Sequence, residues 1–94
     1  MLSDFNTRAQ MVNDCEQQAI NLLEHRAKQG SSSPRAEAEY HVQGYAGEGK
    51  PPRDLVIWCG VSTTKNGGRR HVFKLNGQRM ARHRIAQHLG EMGA

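Results

Sequence analysis

The side chains best suited to binding chemistry lie in one basic segment, residues 65–84. This segment carries seven lysine and arginine residues and two histidines but no carboxylate. The seven cations are Lys65, Arg69, Arg70, Lys74, Arg79, Arg82 and Arg84. Guanidinium groups bind phosphate and carboxylate oxygens through paired hydrogen bonds, and they stack on bases and aromatic rings. The segment therefore predicts a surface for a nucleic acid or for an acidic protein, and a solvated basic face without a polyanion is the third interpretation.

The charge of the chain is unevenly divided between its two parts. Residues 1–53 hold six basic and seven acidic side chains, whereas residues 54–94 hold seven basic and two acidic ones. The formal net charge of +4 therefore comes from the C-terminal part of the chain. This asymmetry is the strongest functional signal in the sequence, and it places the predicted binding surface in residues 54–94.

A phosphate-binding loop is excluded, although Gly44, Gly49 and Lys50 fit the start of the pattern G-x-x-x-x-G-K. Pro51 stands where a working loop has a Ser or Thr hydroxyl for magnesium. Pro52 blocks the helix whose N-terminus would hold the phosphate. The match is therefore interpreted as coincidental.

Neither metal binding nor catalysis is predicted. His83 and His88 are five residues apart, which on a helix separates their directions by roughly 140°, and no C-x-x-C or H-x-x-x-H unit occurs. Cys59 and His71 could pair as thiolate and base across a hairpin, but a strand cysteine is more often a buried core residue. Cys15 and Cys59 are accordingly interpreted as buried thiols of a cytoplasmic protein. The chain is predicted to be non-enzymatic, with no cofactor and no metal.

The first element that must support this surface is an amphipathic helix over residues 4–29. Its apolar residues recur at steps of three and four, with polar residues between them. They are Phe5, Ala9, Val12, Cys15, Ala19, Leu22 and Leu23. Ser3 is the predicted N-cap, Asp4 suits the positive end of the helix dipole, and Gly30 ends the helix.

Residues 30–53 form a flexible or irregular region with one candidate strand. Residues 36–43 alternate between apolar and polar side chains, which favours a strand. Ser33 followed by Pro34 is also a good helix start, so a short helix is the alternative. The glycines and prolines of residues 44–52 predict an irregular loop.

Residues 54–94 predict a basic hairpin and a closing helix. Strands are predicted over 55–64, 69–75 and 78–80, with tight Asn-Gly turns at Asn66-Gly67 and Asn76-Gly77. Phe73 and Leu75 share one face of the second of these strands. A helix from Ala81 to Leu89 ends at Gly90. The chain is thus predicted to be one small α+β domain, residues 1–94, with an N-terminal amphipathic helix, a small three-stranded antiparallel sheet and a short C-terminal helix.

The composition predicts a thin core. Leu, Ile, Val and Phe make up 16 of the 94 residues, and small domains of this kind are marginally stable alone. A homodimer, formed through the first helix, is therefore one way to complete the fold. The longest apolar run, Leu55–Cys59, is far too short to cross a bilayer, and the N-terminus resembles no secretory signal, so no membrane contact is expected.

The stretch from His71 to Met80, HVFKLNGQRM, followed by a basic helix, resembles a pattern found in many small proteins of temperate bacteriophages. The resemblance covers about 25 residues of the chain. It implies an accessory role: such proteins bind nucleic acid, or they bind and redirect a host nucleic-acid machine such as the RecBCD exonuclease, a polymerase or a defence complex.

The sequence as a whole predicts a cytoplasmic, non-enzymatic accessory protein in nucleic-acid transactions. It would bind DNA or RNA through the seven cations of the basic segment. The alternative is a modulator or inhibitor of a host nucleic-acid-processing enzyme, which would dock on an acidic surface of that enzyme. Aromatic side chains dominate such interfaces together with arginine, so Tyr40, Tyr45 and Trp58 are the predicted anchors of that alternative.

Overall fold

The protein folds as two helices on one face of an antiparallel sheet. The structure, a computed structural model, describes residues 4–32 and 34–94. Its elements are α1 (Phe5–Lys28), β1 (Arg35–Gly44), β2 (Arg53–Thr63), β3 (Arg69–Leu75), β4 (Gln78–Arg79) and α2 (Arg82–Glu91). The predicted α+β fold is confirmed. The sheet has four strands in this part of the chain, not three, because the candidate strand at residues 36–43 forms as β1 and joins the three predicted strands.

The strands lie side by side in chain order, β1-β2-β3-β4, and every neighbouring pair is antiparallel. Because side chains alternate between the two faces of a strand, one face of the sheet is apolar and packs against α1 and α2. The core between the layers includes Leu55, Ile57, Cys59 and Val61 of β2, Phe73 and Leu75 of β3, and Ile85 and Leu89 of α2. The other face carries no helix in the described residues and is called the open face below.

Helix α1 covers the sheet with a narrow apolar stripe. Val12, Cys15, Ala19 and Leu23 are buried at steps of three and four residues. Two members of the predicted stripe behave differently, because Phe5 and Leu22 lie at its margins and are 47% and 36% exposed.

Asp4 is the N-cap of α1. Its carboxylate accepts a hydrogen bond from the amide of Thr7 at 2.7 Å, and this bond lowers the pKa of Asp4. The predicted cap Ser3 lies outside the described residues. At the other end, Gly30 has φ +94° and follows the last turn as predicted.

The two Asn-Gly pairs form different turns. Asn76 and Gly77 both have positive φ, 49° and 83°, so β3 and β4 are joined by the predicted two-residue loop. At the first pair only Gly67 has positive φ. There the amide of Gly67 donates to Thr64 and the amide of Thr64 donates to Gly68, which makes a longer loop with one left-handed residue.

Helix α2 runs from Arg82 to Glu91 and passes through Gly90, so the predicted end at Gly90 is wrong. A side chain at position 90 would meet the guanidinium of Arg8 within 2.7 Å. Arg8 in turn donates from Nε to the carbonyl of Ala86 at 2.9 Å. Gly90 therefore lets α1 approach α2 closely, and Gly93, with φ +85°, supplies the left-handed residue after the helix.

The region of residues 30–53 is more regular than predicted. Residues 35–44 form β1, so the alternative of a short helix is wrong. Each residue of β1 pairs with one on β2, and its side chains alternate between the two faces of the sheet up to Gly44. The loop that follows is tied to the C-terminus, because the amide of Tyr45 donates to the carbonyl of Gly93 at 3.0 Å. Among the described residues, no helix has both the length and the apolar character needed to span a membrane.

Candidate functional site

The seven cations of the basic segment do not form one surface. Alternation along β3 directs Arg70 and Lys74 to the open face, whereas Arg69 and His71 lie on the side of the helices. Arg79 of β4 is paired with Lys74 and shares its face. The segment is therefore divided between two sides of the sheet, and the two sides have different electrostatic surroundings.

On the helix side, carboxylates of α1 neutralise the cations. Arg69 donates from Nη2 to Glu24 Oε1 at 3.2 Å, and His71 Nδ1 lies 2.8 Å from Glu16 Oε2. These carboxylates belong to a distant part of the chain, 45 and 55 residues away. The absence of acidic residues within the basic segment could not reveal them.

Arg82 is held in the same way at the start of α2. Its guanidinium contacts the carboxylate of Glu16 and donates to Asn13 Oδ1 at 3.0 Å. It also lies 5.0 Å from the centroid of the Phe73 ring, on which it can stack. Arg82 therefore joins α1, β3 and α2, and its contacts are those of a structural residue.

The open face carries a cross-strand row that is aromatic and cationic on β2, β3 and β4 and acidic on β1. Register pairs Glu39 of β1 with Trp58 of β2, Trp58 with Lys74 of β3, and Lys74 with Arg79 of β4. The ammonium of Lys74 lies 4.8 Å from the centroid of the Trp58 ring. An indole with a cation over its ring and a second cation on the next strand, on an uncovered sheet, is an arrangement that can stack a base and bind its phosphates.

The indole of Trp58 lies along the sheet because position 60 has no side chain. A Cβ on Gly60 would come within 2.3 Å of the ring, which is closer than two carbons can approach. A glycine inside a strand lowers the stability of the strand. Here it leaves the space that the indole occupies, because ring carbons of Trp58 lie over position 60.

A shallow hollow of about 650 Å³ extends from this ring toward the end of α1. Arg26 of α1 and Arg35 of β1 line it together with Glu37, Trp58 and the side chains of β3 and β4. Arg26 is fixed there because its Nη1 donates to the carbonyl of Arg35 at 2.5 Å. Sequence reasoning missed both arginines, since they lie in the part of the chain that has no excess of positive charge.

The open face also carries carboxylates, Glu39 directly beside Trp58 and Asp54 farther along β2. His41 lies 3.4 Å from Glu39 Oε2 and 3.5 Å from Asp54 Oδ2. Arg70, Lys74 and Arg79 have no carboxylate within ion-pair distance in the described part of the chain. A polyanion would therefore be directed to the end of the face where these three cations lie.

Two predicted binding residues lie outside the open face. Lys65 is exposed in the turn between β2 and β3. Arg84 is exposed in the first turn of α2 and lines a second hollow, of about 400 Å³, together with Arg79 and Met80. Only three of the seven predicted cations, Arg70, Lys74 and Arg79, thus accompany Trp58.

The three predicted aromatic anchors lie apart from one another. Tyr40 is half-buried on the helix side, where it packs against the core. Tyr45 is 65% exposed at the end of β1, and Trp58 lies on the open face. They therefore do not form one docking patch.

The two thiols are buried and unpaired. Both Cys15 and Cys59 are fully inaccessible, and Cys15 Sγ lies 3.4 Å from the carbonyl of Ala38. Burial raises the pKa of Cys15 to about 11 and that of Cys59 to about 12, so neither is a ready thiolate. No group of three His, Cys, Asp or Glu side chains in residues 4–32 and 34–94 is arranged to hold a metal ion.

None of the protein families, curated proteins and solved structures with which the chain was compared matches it. The resemblance to small temperate-phage proteins therefore stays a prediction.

Proposed function

We propose that the protein binds single-stranded nucleic acid on its open face, with Trp58 as the stacking platform. The observation that carries this proposal is the cross-strand row in which Trp58 pairs with Lys74 and Lys74 pairs with Arg79. Bases stack on exposed aromatic rings whatever their sequence, and cations along the same groove bind the phosphates. The role is non-enzymatic and accessory, in transactions that expose single strands.

The shape of the surface favours a single strand over a duplex. The axes of four adjacent strands span about 14 Å, whereas the major groove of a DNA duplex is about 12 Å wide. A flat sheet of this width cannot enter the groove, and paired bases cannot stack on an indole outside the helix. A single strand, whose bases are free to turn outward, can meet both requirements.

The charges of the open face define the path of the strand. Arg70, Lys74 and Arg79 lie on β3 and β4, and Arg35 lies across the sheet from them on β1. Lysine has a flexible stem, so the ammonium of Lys74 can move from the indole to a phosphate when a base takes its place on the ring. The strand would thus cross the sheet between these cations, with one base on Trp58.

Trp58 is the sole tryptophan of the chain, so its fluorescence reports directly on stacking. Titration with unlabelled oligo(dT) or oligo(U) at about 50 mM salt is expected to quench the emission, and raising the salt to about 200 mM should reverse the quenching. Anisotropy with labelled single-stranded and double-stranded DNA and RNA gives the affinities, and single strands should bind more tightly. Trp58→Ala should weaken single-strand binding about tenfold to hundredfold.

Two double variants that each remove two positive charges test the proposed path of the single strand. Arg70→Ala with Arg79→Ala removes two cations of the open face, and Lys50→Ala with Arg53→Ala removes two exposed cations at the opposite end of β2. The first variant should reduce the slope of log affinity against log salt by about 0.7 per lost phosphate contact, whereas the second should leave the slope nearly unchanged. Equal effects of the two variants, or binding without quenching, would show that the open face is not the site.

An acidic surface of a host nucleic-acid enzyme is the alternative partner for the same cations. It predicts no binding to any of the four nucleic acids at about 50 mM salt, the condition under which contacts to phosphates are strongest. That result would reject the nucleic-acid proposal and direct the search to protein partners, with Trp58 and Arg79 as the first residues to substitute.

A further inference from the structure

The free edge of β1 is the second unexplained surface of the molecule. β1 pairs with β2 on one side, and no strand of residues 4–32 and 34–94 pairs with it on the other. The amide of Thr63 donates to the carbonyl of Pro34 at 3.2 Å, which shows that the backbone groups of Pro34 face β2. Since these directions alternate along a strand, the backbone groups of Glu37, Glu39, His41 and Gln43 face away from the sheet. No partner for these groups occurs among the described residues.

This edge is closed at both ends, which limits the free part to residues 37–43. At one end the carbonyl of Arg35 accepts the hydrogen bond from Arg26 at 2.5 Å. At the other end the amide of Tyr45 donates to Gly93 at 3.0 Å. Both contacts involve odd-numbered residues, whose backbone groups would otherwise be free like those of the odd-numbered residues within 37–43. The free stretch is therefore seven residues long and has Tyr40 at its centre.

We infer that two copies of the chain pair along this edge, with β1 antiparallel to β1 of the second copy about an axis at Tyr40. This register uses the whole free stretch and places Glu39 of each copy opposite His41 of the other. Glu37 then stands opposite Gln43, so no like charges face each other directly. The stretch is thus complementary to itself, as a two-fold interface requires.

Leu22, an exposed apolar side chain of α1 next to this edge, supports pairing with a second copy of the chain. Met11 of α1 lines a groove with Tyr40 at β1, and Arg26 reaches the start of the same strand. Leu22 lies three helical turns after Met11 and one turn before Arg26, so all three share the side of α1 next to the edge. Leu22 is 36% exposed, and the first turn of α1 of a paired copy would approach it.

Pairing would join two four-stranded sheets into one continuous sheet of eight strands. The axis is perpendicular to the sheet, so both open faces lie on the same side. The two Trp58 residues would be separated by three strand spacings, and with the offset along the strands they would lie about 16 Å apart. The dimer would thus double the surface proposed for a single strand, although the pairing itself does not depend on that function.

Sedimentation velocity of the full chain without nucleic acid, from about 1 to 200 µM, tests the pairing. A species of twice the 10.5 kDa of one chain is expected to grow with concentration. Glu39→Pro removes an outward amide and is tolerated at an edge position of a strand, so it should give a folded monomer. Leu22→Arg should weaken the dimer at least about tenfold. Phe5→Gln, a substitution of an exposed apolar residue on another side of α1, is the control and should leave the dimer intact.

Hydrogen exchange of the wild-type chain provides a reading that does not depend on a variant. The amides of Glu37, Glu39, His41 and Gln43 should exchange rapidly at low concentration and become protected as the dimer forms. A chain that stays monomeric at every concentration would overturn the proposal, as would a dimer that keeps these four amides unprotected. Trp58→Ala should dimerise normally, so failure of the pairing and failure of nucleic-acid binding are distinguishable.

Discussion

At the scale of single residues, Gly60 determines how Trp58 presents its ring. The indole folds over position 60 because no Cβ is there to stop it, and the ammonium of Lys74 lies over the same ring. A glycine in the middle of a strand weakens the strand by itself. Its presence is explained here by the tryptophan ring, which occupies the space beside it on the open face.

Gly60→Ala should therefore lift the indole from the sheet. Crowding of this kind destabilises a fold by about 1–3 kcal/mol, and the displaced ring should show red-shifted emission and weaker quenching by oligo(dT). Gly68→Ala is the control, because its Cβ would meet only the hydroxyl of Thr64, at 3.3 Å. Urea unfolding and tryptophan emission spectra of both variants give the comparison. If Gly60→Ala keeps the emission and stability of the unsubstituted chain, the close contact does not set the position of the ring.

At the scale of the elements, α1 is fixed to the rest of the molecule by Glu16. Its carboxylate accepts from His71 of β3 and from Arg82 of α2, and its side chain is only 13% exposed. Glu24 makes a second ion pair, with Arg69, but there both side chains are about half exposed, at 50% and 40%. Both glutamates therefore pair with basic side chains, but Glu16 is shielded from solvent and Glu24 is not.

Glu16→Gln should destabilise the protein by about 1–3 kcal/mol, since it removes a charged acceptor that serves two donors at a poorly solvated position. Glu24→Gln should change the free energy of unfolding by less than about 1 kcal/mol, because water screens the exposed pair. Urea unfolding followed by circular dichroism measures both. Equal losses of unfolding free energy in the two variants would mean that burial does not strengthen the contacts of Glu16.

Because of these contacts, alanine substitutions of different arginines in the basic segment test different properties of the protein. Arg79 and Arg84 are exposed and have no carboxylate partner in the described residues, so alanine there should leave the fold intact. Arg82→Ala, by contrast, releases Glu16, Asn13 and the Phe73 ring together. If Arg82 were substituted together with Arg79 and Arg84, loss of binding could not be distinguished from loss of stability.

At the scale of the whole molecule, the sequence predicts the elements better than their mutual contacts. Periodicities of 3.6 and 2 are local, and they locate α1, β2, β3 and their inward residues, Phe73 and Leu75 among them. The division of the cations is not local, because it depends on which strand face receives α1 and on glutamates 45 or more residues away. Arg26 and Arg35 were missed for the same reason: the hollow they line forms only when the end of α1 reaches the start of β1.

The two buried thiols have an effect on the whole molecule that appears at alkaline pH. Burial raises the pKa of Cys15 from about 9 to about 11 and that of Cys59 from about 9 to about 12. Between these values the unfolded chain has lost protons that the folded chain keeps. Proton linkage then requires the free energy of unfolding to decrease as the pH rises. The stabilisation by the neutral thiols is thus complete below about pH 9 and is lost through pH 11 to 12.

Each thiol should lower the folding equilibrium constant about tenfold per pH unit inside this window. Urea unfolding at pH 8, 9, 10 and 10.5 measures the slope. The double variant Cys15→Ala with Cys59→Ala is the control: it should be less stable at pH 8, because it leaves space in the core, yet lose stability less steeply above pH 9. All other side chains are the same in both proteins, so the difference between the two slopes isolates the thiols. Parallel slopes would mean that the thiols exchange protons with solvent as readily in the folded chain as in the unfolded one, and the burial of both cysteines between α1 and β2 would then have to be abandoned.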